Sequence, residues 1–89
     1  MNKLTLSEKF NIASTVVKTL PKRPEDKDLL ELYALYKQAL CGNCNTDQPG
    51  ILQFKERSKW SAWKNIQGME QETAMEKYCN LVEFLIHKL

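Results

Sequence analysis

Lys37, Lys59, Tyr33, Tyr36 and Tyr78 are the residues in this chain whose types and spacing could do chemistry. On a helix advancing about 100° per residue, Leu29, Leu40, Tyr33, Lys37, Leu30, Cys41 and Ala34 fall in that angular order on an arc of about 140°. The charge of Lys37 therefore projects into the middle of an apolar face. Lys59 repeats the pattern further on, among Ala62, Ile66 and Trp63. A buried ammonium is costly unless it snorkels, meets a carboxylate or receives an anion. Two such lysines beside tyrosine and tryptophan point to a ligand with an anionic head and apolar or aromatic parts. The competing reading is structural: tyrosines in a core, and lysines that snorkel or pair with glutamates.

Other chemistry is thinly represented. Cys41 and Cys44 form a C-x-x-C, readable as half of a metal site, as a redox pair, or simply as one helix-end and one loop cysteine. Cys79 and the single histidine, His87, lack the short second spacing of a zinc module, and no strand precedes the motif as in a thioredoxin unit. His87 falls on the polar side of the last helix beside Glu76 and Glu83, where a solvated surface role is expected. No carboxylate pair occupies an apolar face, and no glycine-rich phosphate loop is present. The residues argue against an enzyme and against a metal or organic cofactor.

Positioning falls to four helices in one domain spanning residues 1–89. The chain has 89 residues, 43% apolar and 27% charged, enough for a single small core. Its formal charge of +2, from 13 basic and 11 acidic side chains, is too balanced for indiscriminate polyanion binding. Any anion site must be built by position. No apolar run approaches the roughly 20 residues of a membrane span, and the first residues lack a secretory pattern. Three cysteines, an odd number, fit a reducing compartment, so a cytoplasmic location is expected.

The first helix is expected from Leu6 to Leu20, opened by a Thr5–Glu8 capping box and closed by Pro21 and Pro24. The second spans Asp26 to Cys41, with Asp26 as its cap and Gly42 beyond its end. It carries apolar residues on two faces, because Leu32, Leu35 and Ala39 lie away from Lys37. It must therefore sit between neighbours or cover a ligand. After a turn-rich loop to Gly50, the third helix is expected over Glu56 to Gln67 with Gly68 as its C-cap. The fourth starts near Glu70 and runs to the end of the chain, its apolar arc holding Tyr78, Leu85, Val82 and Leu89. These amphipathic segments make an all-α four-helix bundle.

At these residues the chain resembles the acyl-CoA-binding protein family, also called diazepam-binding inhibitor or endozepine. LYALYKQALCGNCNTDQPG, Leu32 to Gly50, is similar to the family's Tyr-x-x-Tyr-Lys-Gln-Ala, Gly-Asn and Pro-Gly signature. FKERSKWSAWKNIQGM carries its Lys-Trp-x-Ala-Trp core at Lys59 to Trp63, and AMEKY completes the match at Ala74 to Tyr78. The resemblance covers nearly the whole chain, from Phe10 on. It implies an up-down-down-up bundle that carries medium- to long-chain acyl-CoA esters, buffering and transporting them for fatty acid metabolism. It further implies a cytoplasmic monomer with no nucleic-acid partner, touching membranes or acyl-CoA-using enzymes at most transiently.

By motif position, Tyr33, Lys37 and Lys59 would hold the nucleotide end, chiefly its 3′-phosphate, and Tyr36 would line the adenine. Lys18 and Lys55 would be further ligand lysines, Tyr78 the last-helix tyrosine at the ligand, and Leu29 and Leu30 apolar positions near the acyl chain. Lys18 rests on the resemblance alone, since it projects to the polar side of an α-helix. Trp60 is expected nearer the site than Trp63. Glu56 and Arg57 depart from the pattern, in which a glycine and a lysine or small residue are common, and Glu56 brings negative charge close to the phosphate lysines. The alternative is a helical interaction module that takes a partner's amphipathic helix in the same groove.

Overall fold

Helix α1, Leu6–Val16, opens on the capping box: Glu8 N–H donates to Thr5 Oγ1 at 3.1 Å, and Thr5 N–H donates to Glu8 Oε1 at 3.0 Å. The computed structural model describes residues 3–88, so Leu89, expected on the last apolar arc, lies outside the described residues. Contrary to the expected helix to Leu20, α-helical winding stops at Val16, and Val17–Thr19 tighten into a 3₁₀ turn. The cause is Pro21. It disfavours α geometry at the residue before it, and Leu20 takes φ −60°, ψ 138°.

Helix α2, Asp26–Cys41, matches the expected span, but its N-cap is Glu25 and not Asp26. Neither side chain caps the helix. Asp26 instead accepts from Arg23 Nη1 at 3.0 Å in an exposed pair. Gly42 closes α2 at φ 77°, donating its N–H to the Gln38 carbonyl at 2.9 Å. Helix α3, Phe54–Asn65, lies two residues ahead of the expected span at both ends, because Ile66 takes the C-cap and Gly68 sits in the turn beyond it. That turn is built from short-range bonds, Gln67 N–H to Lys64 O at 3.2 Å and Met69 N–H to Ile66 O at 3.1 Å. Gly68 takes φ 95° there, a conformation that costs a side-chain-bearing residue. Helix α4 is Gln71–Lys88. All regular structure among the described residues is helical.

Helix directions follow from which ends touch. Trp63, near the end of α3, bonds Gln38 and Gly42 at the end of α2, so α2 and α3 run the same way and loop 42–53 must travel back between them. Gln71, opening α4, donates to the carbonyls of Ala39 and Leu40, while Lys88 at its far end reaches Glu25 and Asp28. Helix α4 therefore opposes α2. Residues 5–7 share a depression with Gln71, Glu72 and Met75, which sets α1 alongside α4. The result is an up-down-down-up bundle.

Helix α2 is central, packed on α4 and on α3, with α1 against α4. That is why it needs two apolar faces. The core joins Phe10 and Ala13 of α1, Leu32, Leu35 and Ala39 of α2, and Ala74, Tyr78, Val82 and Leu85 of α4. Helix α3 adds none of these. It docks through Trp63, which is buried against α2.

Candidate functional site

Three aromatic rings from three helices meet edge to face: Phe10–Tyr78 at 5.0 Å, Phe10–Tyr36 at 5.6 Å and Tyr36–Tyr78 at 5.9 Å between centroids. Tyr36 and Tyr78 belong to this cluster and also line a cavity of about 550 Å³. Lys18, Leu29, Tyr33 and Lys37 line it with them. Tyr36 and Tyr78 are thus both packed in the core and part of the cleft wall. Burial pushes the Tyr78 phenol above its ordinary value of 10.0, with smaller contributions from Tyr36 and Cys79. The Tyr78 phenol is therefore uncharged at neutral pH.

Lys18 lines the cleft from the 3₁₀ turn that ends α1, while remaining exposed as its polar-side projection implies. A lysine stem is long enough to border a cleft from that position.

Lys37 is half-buried and enters none of the ion pairs found among the described residues. Its Nζ lies 5.0 Å from the Trp63 ring centroid, a cation–π contact that partly offsets the missing counter-charge. Neither tryptophan lines the cavity, and Trp63 is the one in contact with a lysine that does. Trp60 donates its Nε1–H to the Thr46 carbonyl at 2.9 Å and pins loop 42–53.

Lys59 is not among the residues lining the cavity, yet its Nζ lies 5.6 Å from the ring of Tyr33, which does line it. Glu56 lies 3.9 Å from the Lys59 ammonium, so the departure at Glu56 pairs with one of the lysines expected to meet the ligand. Both side chains are largely exposed, which keeps the pair weak.

The remaining site expectations separate. Leu30 does not join Leu29: it lines a second depression, between α2 and α3, with Phe54, Arg57 and Ser61. Leu30 is about 100° round the helix from Leu29, so the broad arc of α2 is divided between two neighbours. Lys55 is exposed at the start of α3 and lines neither depression. The C-x-x-C thiols are free, with Cys41 exposed and Cys44 half-buried. His87 is exposed on α4.

Gln38, to which the sequence reading gave no role, is fully buried and joins four elements. Its Nε2 donates to Met69 O at 2.7 Å and to Asn43 Oδ1 at 3.0 Å, while its Oε1 accepts from Trp63 Nε1 at 3.1 Å. Trp63 Nε1–H is shared with Gly42 O at 2.9 Å, and Asn43 Oδ1 also accepts from Gly68 N–H at 2.7 Å. The network fixes the ring beneath Lys37. A signal for it existed: Gln38 falls between Ala34 and Leu35 in angle, a polar residue inside an apolar surround.

The fold and this cleft define a small all-α binding domain, with cations and phenols around an apolar trough. The family model described as acyl CoA binding protein matches residues 7–82, and the chain belongs to that family. An acyl-CoA-binding protein homolog of Drosophila melanogaster is 46% identical over 83 residues, covering 93% of this chain and 96% of that one. The acyl-CoA-binding protein of Saccharomyces cerevisiae is also 46% identical over 83 residues, covering 93% and 95%. Among solved structures, acyl-CoA-binding protein 2 of Oryza sativa superposes with a TM-score of 0.90 at 42% identity, covering 94% of this chain and 93% of that one. The yeast protein's solution structure gives 0.74 at 46% identity, covering 92% and 95%.

Proposed function

We propose that residues 1–89 form a single non-catalytic carrier domain for medium- to long-chain acyl-CoA esters, acting as a cytoplasmic monomer that buffers and delivers them for lipid metabolism. The observation that carries this reading is the cleft of about 550 Å³ in which Lys18 and Lys37 flank Leu29 and three tyrosines. Its size is in the usual range for small-molecule sites, about 300–1,000 Å³. Family membership supports the ligand class.

Coenzyme A carries about four negative charges near neutral pH, on a 3′-phosphate and a pyrophosphate (compare). Lys18, Lys37, Lys55 and Lys59 are four cations that answer them. In this reading Tyr33, Lys37 and Lys59 take the 3′-phosphate, and Lys59 exchanges Glu56 for the phosphate. Lys18 and Lys55 serve the remaining phosphates, and Tyr36 offers its ring to the adenine. Tyr78, Leu29 and Leu30 contact the rest of the ligand.

Each charge-assisted hydrogen bond contributes about 1.5–3 kcal/mol before desolvation is subtracted. A 16-carbon tail removed from water contributes on the order of 10 kcal/mol, at about 0.8 kcal/mol per methylene. A domain this small cannot enclose such a tail and keep its own core, so the bound nucleotide helps to cover it. No metal or organic cofactor enters the reading. The exposure of His87, the single histidine, and family membership support a binding role without catalysis.

Trp63, against Lys37, is a built-in reporter. Its fluorescence should change on titration with palmitoyl-CoA and saturate near equal stoichiometry, but not respond to free palmitate or to DNA. A DNA response, or silence toward palmitoyl-CoA in both fluorescence and calorimetry, overturns the reading.

A further inference from the structure

The end of loop 42–53 and the start of α3 hold a feature that the cleft does not use. Ile51, Leu52 and Phe54 are 73%, 80% and 70% exposed, three large apolar side chains within four residues. Isolated exposed apolar residues are ordinary, but a cluster is not. This one is held in shape. Gln53 N–H donates to Gly50 O and Gly50 N–H to Gln53 Oε1, both at 3.0 Å, so the turn is closed across Ile51 and Leu52. Arg57 Nη1 donates to Pro49 O at 3.0 Å, and Trp60 ties Thr46 at 2.9 Å. A fastened loop presenting a bare Ile-Leu tip is suited to entering an apolar medium without first being ordered.

The charge beside it identifies the medium. From Ile51 to Lys59 there are three cations, Lys55, Arg57 and Lys59, and one carboxylate, Glu56. Lys55 is exposed and in no ion pair among the described residues. Ile51 and Leu52 line none of the depressions described, although Phe54 beside them borders the one between α2 and α3. No helix among the described residues is long and apolar enough to cross a membrane. We propose that Ile51 and Leu52 dock the protein peripherally on an anionic lipid bilayer, their side chains at the acyl boundary and Lys55 among the headgroups. The inference shares Lys55 with the carrier reading, but the contact of Ile51 and Leu52 with lipid needs no acyl-CoA.

The test is co-sedimentation of the full chain with vesicles of phosphatidylcholine containing phosphatidylserine, without acyl-CoA. The parent chain should bind. Ile51→Ser/Leu52→Ser should partition at least about tenfold more weakly, as expected for removing two aliphatic side chains from the acyl boundary. Palmitoyl-CoA affinity of that variant should stay within about twofold, which separates docking from ligand binding. In Leu52→Trp, the added tryptophan emission should shift to the blue on the same vesicles and be quenched by brominated acyl chains. Equal vesicle binding by parent and double variant, absence of binding by the parent chain, or an unshifted Leu52→Trp spectrum would overturn the proposal.

Discussion

The bundle is assembled by two different kinds of contact. Helices α1, α2 and α4 share an apolar core built around Phe10, Tyr78, Leu85 and their neighbours. The seam between α2 and α3 holds Trp63 over a buried amide, with Gln38 bonding Met69, Asn43 and the Trp63 ring nitrogen. The first contact is non-directional and tolerates small shifts. The second is directional and fixes where the Trp63 ring stands under Lys37. Stability is thus concentrated on one side of α2, and positional accuracy for the cations on the other.

Phe10→Ala should produce the largest loss, about 3–5 kcal/mol in urea denaturation, because it empties the meeting point of three helices. Gln38→Leu should cost less, about 1–3 kcal/mol. It leaves the Met69 carbonyl without this donor, whereas Trp63 Nε1–H keeps Gly42 O and Asn43 keeps Gly68. Gln38→Leu should nonetheless weaken acyl-CoA binding, read by calorimetry. If it costs more stability than Phe10→Ala, the division of labour between core and seam is wrong.

Smaller effects sharpen the picture of the cleft. The Tyr78 phenol is raised above 10.0, first by burial. Its contribution is fully present below the ordinary phenol value and falls away as pH rises past 10.0 toward the folded-state value. Stability should therefore decline above that pH, and Tyr78→Phe should flatten the decline in denaturation measured from neutral to strongly alkaline pH. Smallest of all, Glu56→Gln should tighten acyl-CoA binding by no more than a few-fold, since the pair it frees is exposed. The gain should shrink as salt is added.

The same division sets what the sequence made legible. The core side was readable because helical periodicity marks an apolar stripe directly, and Thr5 and Glu8 marked the start of α1. Tyr33, Tyr36 and Lys37 were readable for the same reason. Boundaries written by backbone geometry were not: Pro21 ends the α-helical winding early and leaves Lys18 in a 3₁₀ turn, while Ile66 replaces Gly68 as the cap of α3. The separation of Leu29 from Leu30 needed to be known from the neighbours of α2, which periodicity within one helix does not contain. Gln38 was hidden because a buried polar side chain announces itself only through partners distant in sequence.

The central claim is that phosphate-binding lysines and an apolar trough act as one site, with the bound nucleotide covering the acyl chain. Calorimetry of Lys37→Ala against the parent chain, each with octanoyl-CoA and palmitoyl-CoA, tests it most directly. The loss of one charge-assisted contact should weaken palmitoyl-CoA binding by about 10- to 100-fold. It should also reduce the advantage of the longer chain. An unchanged ratio between the two affinities, or palmitoyl-CoA binding as tight as in the parent chain, would contradict it.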